Sequence, residues 1–120
     1  MILSRPSGAD ILCASASATT ATLLTVPANR WYTANVCISA SANLNVTATP
    51  ALTWTPNDGS AGPATTTVVS RCTVISINSA PQSNSATNHI VVYGGASGGV
   101  LSFAINSSTA ASISVNGFLL

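Results

Sequence analysis

The chain has 120 residues, a formal net charge of +1, and only 4% charged residues, against roughly a quarter in an ordinary soluble domain. It has no lysine and no glutamate; its charges are Arg5, Asp10, Arg30, Asp58 and Arg71, and His89 is the sole histidine. So few titratable groups argue against acid–base catalysis, and arginines this far apart leave no cationic footprint for nucleic acid.

This length supports one core without disulfides or metal. Hydrophobic residues make up 47% but aromatic ones only 5%, so Val, Ile and Leu must supply most of that core. Apolar stretches such as those around Leu23–Leu24 and Phe118–Leu120 are far shorter than the roughly 20 residues of a spanning helix, so no membrane partner is expected.

Residues 1–10, with Pro6, Gly8 and Asp10, read as an N-terminal arm, because Pro and Gly contribute little to a sheet. The run Ile11–Ala16 only loosely imitates the apolar part of a secretory signal, and the mature chain is expected to start at this N-terminus. Residues 11–120 read as one domain. Apolar and polar residues alternate almost throughout, which predicts half-buried strands and leaves no helical period.

The first clear strand runs from Ala21 to Val26 and stops at Pro27-Ala28-Asn29, where Asn tolerates the left-handed region. Trp31 to Ser39 follows, with Tyr32, Ala34, Val36 and Ile38 predicted on the core face and Thr33, Asn35, Cys37 and Ser39 on the other. Leu44, Val46 and Ala48 mark another strand before Pro50, and Ala51–Thr55 carries Leu52 and Trp54 on one side. Pro56-Asn57-Asp58-Gly59 is a turn signal.

Thr65 to Asn78 is β-branched but would span about 46 Å as one straight strand at roughly 3.3 Å per residue, so a break near Ser70-Arg71 is expected. Ser79–Asn88 reads as an exposed polar loop and His89–Tyr93 as the next strand. Gly94–Gly99 then reads as a hairpin connection to Val100–Asn106, because a phosphate-binding loop would have to lead into a helix. Ala111–Leu120 closes the chain with Ile113, Val115 and Phe118, and Gly117 suggests a bulge. The expected fold is all-β: an antiparallel β-sandwich of about eight strands, either a jelly roll or an immunoglobulin-like Greek key.

Little here carries chemistry. Asp10 and Asp58 lie in the arm and in a turn, a poor basis for paired-acid catalysis, and His89 would have to serve any nucleophilic triad by itself. No enzymatic activity, cofactor or metal is expected. Cys13, Cys37 and Cys72 lack ligand spacing and read as small buried hydrophobes, with a Cys37–Cys72 bridge left open. Trp31, Tyr32, Trp54 and Tyr93 suit either packing and interface roles or a sugar-stacking platform.

Thr25-Val26-Pro27-Ala28-Asn29-Arg30 resembles the T-V-P-A-[GN]-[KR] turn of small β-sandwich virion proteins of tailed bacteriophages. Val92-Tyr93-Gly94-Gly95 and Ser112–Phe118 are similar to segments of their capsid decoration (cement) and tail-associated proteins, although the absence of lysine departs from many of them. The resemblance implies a protein of the capsid surface, assembled in the host cytoplasm, that binds the major capsid protein and forms a dimer or trimer. On that reading Arg5 and Pro6 of the arm, with Trp31 and Trp54, are the interface residues. The alternative is a receptor-binding or adhesion module of a tail fibre or baseplate, contacting its target through Trp54 and the Ser79–Asn88 segment.

Overall fold

In a computed structural model, residues 8–42, 47–57, 67–75, 82–105 and 111–120 are described. After a 3-10 turn at Gly8–Asp10, the strands are β1 (Ile11–Ala18), β2 (Thr20–Val26), β3 (Trp31–Ala42), β4 (Thr47–Ala48) and β5 (Ala51–Pro56). They continue with β6 (Thr67–Arg71), β7 (Val74–Ile75), β8 (Gln82–Tyr93), β9 (Gly99–Ala104) and β10 (Ala111–Leu119). One four-stranded sheet has the order β1-β10-β3-β8, the other β2-β9-β5-β6, and β4 pairs with β7 in a short ladder. Every described pairing is antiparallel.

This order decides between the two expected topologies. An immunoglobulin-like sandwich pairs successive strands in several hairpins, whereas among the described residues β5 and β6 are the only chain neighbours paired in either four-stranded sheet. The chain otherwise keeps changing sheets, as in a jelly roll of two interleaved Greek keys. Thr19, the single residue between β1 and β2, turns the chain from one sheet into the other, and its carbonyl accepts from the Ile105 amide at 2.9 Å.

The core lies between the sheets. β3 buries Tyr32, Ala34, Val36, Ile38 and Ala40, as its alternation predicts, and β10 adds Ala111, Ile113, Val115 and Leu119. The opposite sheet supplies Val26, Leu52, Leu101 and Phe103. Burying each such Val, Leu, Ile or Phe side chain stabilises by roughly 1.5–3 kcal/mol. The half-exposed Arg30–Asp10 ion pair, at 3.1 Å, belongs to a class worth about 0–1 kcal/mol, so apolar packing outweighs it.

Several expectations change. Ile11–Ala16 belongs to a regular strand, β1, paired with β10 from Ile11↔Phe118 to Ala18↔Ala111. Residues 82–88 are not a loop: β8 pairs with β3 along its whole length, from Trp31↔Tyr93 to Ala42↔Gln82. Their polarity hid the strand, because an edge strand is held by its backbone ladder and can replace apolar packing with side-chain hydrogen bonds. Asn84 Nδ2 donates to the Thr73 carbonyl at 2.9 Å, and Asn88 Nδ2 to Ser70 Oγ at 3.0 Å. The break expected near Ser70-Arg71 is present, as a register shift against β5 at Val69 and a gap at Cys72-Thr73, after which β6 and β7 join different sheets. Leu44, Val46, Asp58 and Gly59 lie outside the described residues.

Residues 94–98 do not form a hairpin, since β8 and β9 belong to different sheets. Their glycines let this crossing press against the turn after β2. A Cβ on Gly94 would overlap the Pro27 carbonyl, and the two segments exchange bonds from Asn29 N to Gly95 O (2.7 Å) and from Gly94 N to Arg30 O (2.8 Å). Asn29 takes the left-handed conformation, φ 59°, that its position in the turn predicts. Gly117 makes no bulge, for β10 runs in unbroken register through it; a Cβ there would overlap the Thr33 carbonyl of β3. With Gly117 and Leu119 inward, Phe118 faces away from Ile113 and Val115.

Two outcomes follow from this packing. Gly94→Ala should destabilise by at least about 2 kcal/mol, whereas Gly95→Asn, at φ 66° with open space around its Cα, should cost under about 1 kcal/mol; denaturant unfolding compares them. Tyr32, fully buried, donates its hydroxyl to the Leu12 carbonyl at 2.6 Å across β10. Burial, with a smaller contribution from the Cys13 charge, pushes its phenol up from 10.0 to about 12. The folded phenol therefore keeps a proton that the unfolded one loses, and this contribution is complete below pH 10 and lost as the pH climbs to 12, for a total of about 2–3 kcal/mol. Tyr32→Phe should lower stability at pH 8 by about 1 kcal/mol and decline less steeply between pH 10 and 12, as read from urea midpoints.

Candidate functional site

The outward side of the β1-β10-β3-β8 sheet is a field of uncharged side chains ordered in rows. Strand register places Ile11, Phe118, Thr33 and Val91 in one row and Cys13, Asn116, Asn35 and His89 in the next. Ser15, Ser114, Cys37 and Thr87 follow, then Ser17, Ser112, Ser39 and Ser85, and finally Ser41 and Ser83. Beyond the first of these rows Trp31 pairs with Tyr93, and the Leu120 amide donates to the Trp31 carbonyl at 2.8 Å. The face thus grades from aromatic and aliphatic at one end to hydroxyl at the other, and none of these positions is Asp, Glu, Lys or Arg.

The apolar end is unusually exposed for its chemistry. Among the described residues, the exposed large hydrophobics are Ile11, Trp31, Val68, Val91, Tyr93 and Leu120, and all but Val68 cluster here. Trp31 is 49% exposed and Tyr93 44%; their ring centroids are 4.7 Å apart and the planes tilt by 30°. Contiguous apolar patches of this kind mark contact surfaces on proteins, whereas single exposed residues do not. At the rim, Arg30 Nε donates to the Leu120 carbonyl at 2.9 Å while Nη2 meets Asp10 Oδ1, so the start of β1 and the end of β10 are tied to the turn before β3. Among the described residues, the hydroxyl end carries two shallow, open depressions, one lined by Ser39, Ser41, Ser83, Ser85 and Ser112 and the other by Ser15, Ser17, Cys37 and Ser114.

His89 lies on the edge strand β8, one row in from the apolar end of the face. Its Nε2 is 2.8 Å from Thr33 Oγ1 and its Nδ1 3.3 Å from Asn35 Oδ1, which orients the ring with Nδ1–H donating to the amide and the threonine hydroxyl donating to Nε2. A hydroxyl, an imidazole and an amide in line have the order of a nucleophile, base and orienting group. Acyl transfer also requires donors aimed at a developing oxyanion, and β3 lies between two paired strands whose ladders engage its amides. The arrangement immobilises the imidazole on an open face.

The structure brings together only part of the expected site. Trp31 stands on the exposed face, but Trp54 turns toward the core, where a Cβ on Gly99 would overlap its ring. Arg5 and Pro6 lie outside the described residues. The cysteines divide: Cys72 is buried, and burial, with a smaller effect of Cys37, pushes its thiol up, while Cys37 is half-buried and Cys13 exposed on the outward face. All are unbridged. Sequence reading missed Ile11, Val91 and Phe118 as surface groups; their parity in the strands was available, but their common row depends on pairing between distant segments. Among the described residues no three His, Cys, Asp or Glu side chains gather as a metal site.

No family model matches the chain, and no curated protein does. Among solved structures it is similar to the structure of Eiger TNF from S. frugiperda, with a TM-score of 0.54 and 11% sequence identity, covering 93% of this chain and 92% of that one. At that identity the likeness concerns the all-β sandwich fold. The aromatic pair makes a local prediction: a double-mutant cycle of Trp31→Ala and Tyr93→Ala should give a coupling of about 0.5–1.5 kcal/mol in unfolding free energy, and zero coupling would mean that the rings do not stack in solution.

Proposed function

We propose that this chain is a virion structural protein, a capsid decoration (cement) protein that binds the lattice of a major capsid protein as a homo-oligomer and stabilises the shell. The observation that carries the reading is the uncharged outward face of the β1-β10-β3-β8 sheet, which joins an exposed apolar end to a field of hydroxyls. A surface of this composition makes contacts without desolvating formal charges. Repetition on a symmetric lattice would turn individually weak contacts into strong attachment. The likeness of Thr25–Arg30 and Ser112–Phe118 to phage virion proteins supplies the setting.

The second reading is an adhesion module of a tail fibre or baseplate. It is favoured by the Trp31–Tyr93 pair, whose exposed aromatic surface could contact a sugar, rather than by Trp54, which packs inward. Quantitative mass spectrometry of purified particles separates the two: hundreds of copies relative to the major shell protein support decoration, and a handful support adhesion. Removing residues 1–7, which leaves the Asp10–Arg30 pair intact, should lower capsid occupancy; unchanged occupancy would rule out an anchoring role for the arm.

A further inference from the structure

We infer that the outward face of the β1-β10-β3-β8 sheet is covered by further copies of this same chain, around a rotation axis parallel to its strands. This deepens the proposed function and rests on its reading of the chain as an assembling structural protein; it names the partner at this face and the direction of the symmetry. The first argument is chemical. With no Asp, Glu, Lys or Arg at any position in the rows, copies meet without like charges opposed, and what they desolvate is apolar carbon, hydroxyl, amide, thiol and the His89 imidazole. The other sheet offers no comparable patch, since Val68 is its only exposed large hydrophobic among the described residues and Arg71 lies on the same edge strand.

Size is the second argument. Four strands about 4.8 Å apart and a length of about 33 Å from Trp31 to Ser41, at roughly 3.3 Å per residue, outline a plane of about 500–600 Å². Side-chain relief raises its accessible surface toward the roughly 800 Å² that each partner buries in a stable pair.

The layering sets the axis. Rotation about a line parallel to the strands keeps every row at its own height, so the Trp31 and Val91 rows meet their counterparts and the serine rows meet serine rows. Serine hydroxyls both donate and accept, so like rows can satisfy one another, and their small size lets backbones approach closely. A two-fold perpendicular to the strands through the middle of the face would instead set Trp31 and Tyr93 against Ser41 and Ser83. That arrangement leaves hydroxyls facing rings and forfeits the apolar contact.

The test uses the purified full chain. Light scattering after size exclusion at micromolar concentration should show a dimer or trimer. Val91→Asp and, at the opposite end, Ser39→Arg should each raise the dissociation constant at least about 100-fold, while Val68→Asp on the other sheet leaves it within about threefold. Both disrupted positions are exposed, and circular dichroism confirms folding. In a chain with Cys13→Ser and Cys37→Ser, Ser39→Cys copies should cross-link to one another through a short bismaleimide. In the perpendicular arrangement the two sites would be about 20 Å apart along the strands. A monomer, or an oligomer broken by Val68→Asp and indifferent to Val91→Asp, overturns the inference; a persistent oligomer without the cross-link overturns the axis. The copy number in particles is read separately: a monomer present at hundreds of copies leaves decoration standing and assigns this face to the shell protein, whereas an oligomer absent from particles leaves the interface standing and removes the decoration reading.

Discussion

The structure depends on the two-residue period of β3. This strand lies between β10 and β8, and its alternate residues face opposite worlds. Inward, Tyr32, Ala34, Val36, Ile38 and Ala40 form the middle of the core; outward, Trp31, Thr33, Asn35, Cys37, Ser39 and Ser41 run down the centre of the uncharged face. A slip of one residue would exchange the two sets, placing hydroxyls in the core and isoleucine in water. Core stability and the chemistry of the candidate surface are thus fixed by one register.

That register is defended from both ends. At the apolar end, the Tyr32 hydroxyl reaches the Leu12 carbonyl across β10, Arg30 holds both Asp10 and the Leu120 carbonyl, and the 94–98 crossing presses its glycines against the turn that leads into β3. At the other end, Asn84 and Asn88 fasten the polar half of β8 to Thr73 and Ser70. Apart from the Arg30–Asp10 ion pair, these directional contacts are hydrogen bonds to backbone or to neutral side chains, each worth about 0.5–1.5 kcal/mol net. They select one arrangement among alternatives, while apolar burial supplies most of the stabilisation.

The same scarcity of charge shapes the surface. Most soluble domains keep copies apart with mixed charges and small apolar patches; this chain leaves Ile11, Val91, Trp31, Tyr93 and Leu120 together on a face with no formal charge to oppose contact. His89, the one basic imidazole in that field, is engaged by Thr33 and Asn35, so even the most chemically versatile group there is oriented within the sheet. The surface is equipped for contact over area.

The amino-acid sequence by itself determined the all-β class, the inward and outward sets of β3, the left-handed Asn29 turn and the near absence of charge, because each depends on residue identity or on neighbours one or two positions away. Tertiary structure alone decided the rest. β1 went unrecognised because its partner, β10, lies about a hundred residues further along the chain, and its small residues carry no strong signal of their own. The first half of β8 looked like a loop because polar residues on an edge strand are held by the ladder to β3. Jelly roll and Greek-key sandwich share one local pattern and differ in which strands pair. The rows of the outward face exist only once four remote segments are set side by side, since alternation assigns a residue to a side of its strand and says nothing about its neighbour across the sheet.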